Sequence, residues 1–250
     1  MASKLARSIQ SVLARSIFWS RRRFLEPTLD PAYDSVILPA ATYSPWLQDA
    51  EFRRVRALIE GHTLVDVYRC WELWHLVRQV ADVPGDILEV GVWRGGTAAL
   101  MAVRAKMLGC GAGIHLCDTF EGVVKTTRAD AHYTGGEHSD TSVQIVETLL
   151  KQLGIDRATI HAGIFPESAP PQLEGTPLRM AHIDVDVYES GRQSFEWIWP
   201  RVSPGGVVIF DDFGFSTTRG ITTLCNELQE LPMSTLLQNL NGHAIIVKTG

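Results

Sequence analysis

From about residue 65 onward, short β-rich runs alternate with stretches of 10–15 residues whose apolar positions recur at helical spacing. Seven runs read as strands: Asp86–Gly91 (DILEVG), Gly113–Asp118 (GIHLCD), Ala158–Gly163 (ATIHAG), Leu178–Asp184 (LRMAHID), Gly205–Asp211 (GGVVIFD), a weaker Met233–Gln238, and His243–Lys248 (HAIIVK). Helices are expected between them at about 67–82, 95–108, 140–153, 189–200 and 217–230. Such alternation is the pattern of a parallel sheet covered by helices on both faces. Only an N-L-N-G turn, Asn239–Gly242, separates the last two strands, so they pair antiparallel, because a parallel pair needs a long crossover. The expectation is an α/β protein with a seven-stranded, mostly parallel sheet whose last strand is antiparallel.

The N-terminal part differs. Lys4, Arg7, Arg15, Arg21, Arg22 and Arg23 all precede the first acid, Glu26, while Leu5, Ile9, Val12, Leu13 and Ile17 lie near helical spacing. This reads as a basic amphipathic helix: a transit peptide, a membrane-surface anchor, an oligomer contact, or simply an appended helix packed on its own or a neighbouring subunit. It lacks the apolar core of a secretory signal. Residues 27–66 interleave Pro27, Pro31, Pro39 and Pro45 with Tyr33, Tyr43 and Trp46, and are expected to form a lid or substrate wall. A second irregular stretch, Glu121–Ser139, follows the second strand and carries Asp130, His132, Tyr133 and His138, in a position where open α/β sheets usually meet their ligands.

Composition narrows the classes. With 250 residues and 45% hydrophobic content the chain can bury one substantial core. A formal charge of −5 gives no broad basic field of the kind nucleic acid requires. No run of about 18 apolar residues offers a membrane span. Cys70, Cys110, Cys117 and Cys225 form no C-x-x-C or Cys/His cluster, which argues against zinc and disulfides and fits a reducing cytoplasm.

Candidate chemistry sits at the strand ends. The first strand runs into E-V-G-V-W-R-G-G-T, residues Glu89 to Thr97, directly before a helix. Glycines let the backbone approach a ligand, and the N–H groups of the helix start favour a carboxylate or phosphate. The spacing of Gly91, Gly95 and Gly96 is not G-x-G-x-x-G, and an acid at Glu89 disfavours a pyrophosphate. S-adenosylmethionine fits better: its ammonium can use an acid, and its carboxylate can use the N–H groups around Val92, Trp93 and Thr97. Asp118, in D-T-F-E-G with Thr119 and Phe120, can accept from both ribose hydroxyls, although an acid at a strand end is often a simple cap. Gly163, Ile164 and Phe165 at the end of the third strand are placed to border adenine or to be ordinary core and turn. Five alternating units closed by an antiparallel hairpin suit a Rossmann-like methyltransferase, whereas the dinucleotide-binding fold continues with parallel units.

The fourth strand delivers H-I-D-V-D-V-Y-E-S with Asp184 and Asp186, and the fifth V-V-I-F-D-D-F with Asp211 and Asp212. If these strands are neighbours, about 4.8 Å apart, Asp184, Asp211 and Asp212 converge. Three close carboxylates must raise their pKa values or hold a cation, and an all-oxygen set selects Mg²⁺, with Ca²⁺ or Mn²⁺ as substitutes. The bland alternative is that the acids cap the following helices. Asp184 or Asp186 is the candidate general base for deprotonating a hydroxyl. His132 and His138 are either substrate contacts or solvated loop residues, and His182, on the same strand face as Asp184, either faces the site or supports the sheet. Trp71, Trp74, Trp197 and Trp199 sit at helical positions and read as core.

These motifs, with S-D-T-S-V at Ser139–Val143 and S-P-G-G-V-V-I-F-D-D-F-G at Ser203–Gly214, resemble the macrocin and mycinamicin O-methyltransferases, which tailor sugars on macrolide antibiotics and include a relative acting on novobiocin. The resemblance spans about Thr63 to Lys248. It implies a class I methyltransferase domain over 63–250, with 1–62 as basic helix and lid or oligomerisation segment. It also implies that Asp184, Asp211 and Asp212 hold Mg²⁺, and that Glu89, Asp118 and Ser142 line the cofactor site. The implied acceptor is a small, glycosylated, hydroxylated molecule, and the implied assembly a homo-oligomer in which N-terminal segments help cover the site. A more distant likeness is to catechol and caffeoyl-coenzyme A methyltransferases, whose catalytic lysine position is Val187 here and whose aspartate-asparagine pair is Asp211-Asp212. Those departures favour a sugar or other aliphatic hydroxyl over a catechol. A phenol-methylating enzyme and a non-catalytic S-adenosylmethionine-binding scaffold are the rival readings.

Overall fold

The computed structural model describes residues 41–250 together with Leu29, Asp30, Ala32, Asp34, Ser35 and Ile37. The basic helix expected in the first 25 residues lies outside the described residues. The chain divides into two compact units, Met1–Ser44 and Pro45–Gly250. In the first, Asp30 accepts from the Ala32 N–H at 2.9 Å, a local Asx turn.

The second unit opens with a 3-10 turn, Pro45–Leu47, and then helix α1, Ala50–Leu58, where a loop-rich wall was expected. Asp49 caps it by accepting from the Phe52 N–H at 2.9 Å, and Phe52, Val55 and Ile59 are buried on one side. Glu51, Arg53, Arg54 and Arg56 fill most of the remaining positions and hide this narrow stripe from a reading by composition. Helix α2, Val67–Gln79, is capped by Asp66, which accepts from Tyr68 and Arg69 N–H groups at 2.8 and 3.1 Å.

The remaining elements follow in order: β1 Asp86–Val90, α3 Gly96–Leu108, β2 Ile114–Asp118, α4 Val143–Gln152, β3 Ala158–Ala162, α5 Pro171–Glu174, β4 Leu178–Ile183, α6 Tyr188–Ile198, β5 Val202–Phe210, α7 Arg219–Glu227, β6 Ser234–Asn239 and β7 His243–Lys248. The seven strands form one sheet in the order β3-β2-β1-β4-β5-β7-β6. The pairs from β3 through β5 are parallel, and β7 runs antiparallel to both β5 and β6, as the short turn demanded. The expected sheet is therefore present. The four-residue α5 was not anticipated, being too short to show a helical period.

Alternation along the strands divides the core. Ile87, Ile114, Leu116, Met180 and Ile209 face α1 to α4, while Leu88, Cys117, Ala181, Ile183 and Phe210 face α6 and α7. Most of α3 is buried, from Ala98 through Val103, as expected of a helix apolar on all sides. No described helix is long and apolar enough to cross a membrane.

Two features position the site. The chain runs from β1 to β2 and β3 on one side and returns to place β4 on the other side of β1, so the crevice of an open α/β sheet falls at the carboxyl ends of β1 and β4. The register pairs Val90 with Cys117 and Ile183, and Ile183 with Phe210, so the residues that follow emerge at one edge.

Candidate active site

A cavity of about 280 Å³ lies along that edge. Gly91, Val92, Trp93, Thr97, Asp118, Thr119 and Gly163 line it at one end, and Asp184, Asp186, Asp211 and Asp212 at the other.

The turn after β1 is built for close approach. Gly91 has φ +86°, and a Cβ there would lie 1.7 Å from the Asp184 carbonyl oxygen, so no side chain is tolerated where the β1 and β4 tips cross. Gly95 caps α3 in the left-handed region. Asp118 organises the turn: one carboxylate oxygen accepts from the Val92 and Trp93 N–H groups at 2.7 and 2.8 Å, and the other from Phe120 at 2.7 Å. Each oxygen can accept twice, so a capping role and a ligand role coexist on the same carboxylate. Asp140 braces the outer side, accepting from Trp93 Nε1 at 2.8 Å and Arg94 Nη2 at 2.7 Å.

Several candidate residues stand elsewhere. Glu89 is fully buried beneath the cavity rather than in its wall, with Oε1 2.7 Å from His182 Nδ1. His182 is likewise fully buried and supports the sheet. Ser142 caps α4 through the Ile145 N–H at 3.3 Å, and neither it nor Gly95, Phe120 or Ile164 lines the cavity. Phe165 does.

At the acid end, Asp184, Asp211 and Asp212 each offer an oxygen, all within 4.8 Å of one another. Burial first, then the neighbouring acids, push Asp184 and Asp212 well above the ordinary carboxylate range. Asp211 goes the other way: burial opposes its charge, but His243, Arg69 and His182 hold its pKa far down. Arg69 Nη1 donates to Asp211 Oδ1 at 2.5 Å, and His243 Nε2 lies 3.2 Å from the same oxygen. His243 Nδ1 is in turn 2.6 Å from Glu72 Oε2. Asp212 adopts φ +67°, and its Oδ2 is buried with no partner. An all-oxygen donor set, mutual repulsion and an orphaned buried oxygen together fit a hard divalent cation.

Asp186 lies outside this trio, at φ +63°. Tyr133 Oη donates to its Oδ1 at 2.6 Å, and burial raises the Asp186 pKa. Tyr133 comes from the Glu121–Ser139 stretch, which Asp130 pins by accepting from the Thr127 and Tyr188 N–H groups at 2.9 and 3.0 Å. His132 is exposed and off the cavity, whereas His138 lines it, packed near Trp93 and Tyr133.

Arg69 was not singled out from the sequence, and Tyr133 was named only among the residues of the long loop, with no role of its own. Arg69 had a signal: it sits four residues from both Val65 and Leu73, a cation inside an apolar helical stripe, which calls for a buried acid. Tyr133 had none beyond its place in a long loop.

The strand order with its reversed β7, and the crevice at the β1/β4 crossing, define the class I methyltransferase fold. Solved structures agree: the O-methyltransferase NovP overlays with a TM-score of 0.65 at 22% identity, covering 76% of this chain and 83% of that one. The calicheamicin methyltransferase CalS11 overlays with a TM-score of 0.63 at 19% identity, covering 86% and 98%. Residues 54–236 match the Macrocin-O-methyltransferase (TylF) family, and the chain belongs to it. It is 34% identical over 172 residues to the 8-demethyl-8-(2,3-dimethoxy-alpha-L-rhamnosyl)-tetracenomycin-C 4'-O-methyltransferase of Streptomyces olivaceus, covering 64% of this chain and 65% of that protein. It is 28% identical over 167 residues to the mycinamicin III 3''-O-methyltransferase of Micromonospora griseorubida, covering 61% and 65%. The chain thus spans just under two thirds of the length of these curated relatives.

Proposed function

We propose that this chain transfers a methyl group from S-adenosylmethionine to a hydroxyl on the sugar of a glycosylated natural product, using a divalent cation held by Asp184, Asp211 and Asp212. The observation that carries the reading is the shared cavity, in which a glycine turn and the Asp118 carboxylate stand at one end and three convergent acids at the other. Family membership supports it, as do relatives named as O-methyltransferases of a rhamnosyl tetracenomycin and of mycinamicin III.

In this reading Asp118 accepts from one ribose hydroxyl, not both, through the one Oδ1 lone pair that its three amide partners leave free. Gly91 lets the donor lie against the β1 turn. Mg²⁺ bound at the acid end supplies Lewis acidity and neutralises the repulsion among its ligands. Asp186 takes the acceptor's proton: Tyr133 holds one of its oxygens, which orients the other, and a raised pKa makes it the stronger base. The hydroxyl oxygen then bonds to the methyl carbon as the carbon–sulfur bond breaks, leaving S-adenosylhomocysteine.

The test is methyl transfer from labelled S-adenosylmethionine to a panel of glycosides lacking one O-methyl group, with and without chelator. The expected result is product that disappears on chelation and returns with Mg²⁺. Transfer unaffected by chelation removes the cation from the account, and transfer to phenols alone removes the sugar.

A further inference from the structure

Among the described residues lining the cavity, two carry a buried side-chain atom without a hydrogen-bond partner: Asp212, at the acid end, and Ser194. Ser194 lies on α6 and is 1% exposed. One turn earlier, Ser190 also lines the cavity, but its hydroxyl is spent donating to the Val124 carbonyl at 2.9 Å. A buried hydroxyl left unpaired is destabilising, and a ligand with a complementary group removes that cost.

The wall around Ser194 suits a flat aromatic ring. Val124, Phe165 and Val185 add apolar surface to the lining of the same cavity. Lys125 stiffens it: its ammonium donates to the Phe165 carbonyl at 3.2 Å, to Glu167 at 2.9 Å and to Gln193 Oε1 at 2.5 Å, tying the long loop, the turn after β3 and α6 together. Strand order fixes what reaches this wall. The acids lie at β4 and β5, Asp118 ends β2, and Gly163 follows β3 beyond it. A donor with its methyl group at the acids and its ribose at Asp118 therefore directs its base toward Gly163, Phe165 and Ser194.

We propose that Ser194 reads the base of the methyl donor, its hydroxyl oxygen accepting from the exocyclic 6-amino group of adenine. That group is the base's one N–H donor and lies on the edge far from the sugar. The inference rests on the nucleoside reading above and adds a specificity-determining residue to it.

The experiment is calorimetric titration of wild type and Ser194→Ala with S-adenosylhomocysteine and with its analogue carrying unsubstituted purine in place of adenine. Wild type is expected to prefer the adenine form by about tenfold, the worth of one buried hydrogen bond. Ser194→Ala should weaken the adenine form by a similar factor, leave the purine form unchanged, and melt no lower than wild type. Equal weakening of both ligands, or an unchanged preference, overturns the proposal while leaving nucleoside binding intact. Failure of wild type to bind either ligand overturns the nucleoside reading and this inference with it.

Discussion

Arg69 on α2 and Asp211 after β5 meet at 2.5 Å across 142 positions of sequence, a buried ion pair directly beneath the three-acid cluster. Together with His243, the larger influence, it holds the Asp211 pKa down, while burial and the neighbouring acids raise those of Asp184 and Asp212. In the proposed metal site, one member of the trio is held as an anion and the other two would ionise on binding the cation.

Arg69→Met tests this pair. Removing one partner of a buried ion pair leaves an uncompensated charge and costs roughly 3–5 kcal/mol. The urea midpoint of the metal-free protein should fall accordingly, and an unmoved midpoint contradicts the role assigned to Arg69.

Gly91→Ala places a Cβ 1.7 Å from the Asp184 carbonyl at a residue with φ +86°. The left-handed backbone alone costs roughly 1–2 kcal/mol, and the clash forces the β1 and β4 tips apart. Lower thermal stability together with loss of S-adenosylhomocysteine binding is expected. Retention of wild-type affinity would show that the crossing of these two tips does not shape the site.

Thiol reactivity should follow burial. Burial pushes the Cys70 and Cys117 thiols up to about 12, and the Cys225 thiol still higher, whereas Cys110 is partly exposed. Iodoacetamide on the native protein at neutral pH should modify Cys110 alone, and mass spectrometry of the digest reads the outcome. Early labelling of any of the other three contradicts the packing described.

The sheet also predicts a pH dependence away from the site. Burial first, then neighbouring His115, lowers the His161 pKa below 6.5, with His115 Nδ1 3.2 Å from His161 Nε2. The unfolded chain therefore takes up the proton first as pH falls. This contribution to stability is complete above the unfolded pKa and is lost as pH drops from about 7 through the folded value. His161→Asn should flatten the slope of denaturation midpoint against pH between 7 and 5, and an identical slope in both proteins rules out this origin.

The sheet was legible because strand alternation and the Asn239–Gly242 turn are local signals. Asp184, Asp211 and Asp212 were legible as a cluster because adjacent parallel strands in register must bring their tips together. The difference between Asp211 and Asp212 was not, since it depends on Arg69 and His243, residues distant in sequence. Helix α1 was hidden by its charged positions. The partner of Glu89 was not legible either: its Oε1 lies 2.7 Å from His182 Nδ1, 93 positions away.

In the proposed function the convergent acids hold one hard cation beside the nucleoside site. Mn²⁺ titration followed by electron paramagnetic resonance, in the presence of S-adenosylhomocysteine, reads this without turnover. The account predicts one bound Mn²⁺ per chain in wild type, displaced by Mg²⁺, and its loss in Asp212→Asn with nucleoside affinity preserved. Absence of bound Mn²⁺ in wild type, or equal binding in the variant, contradicts it.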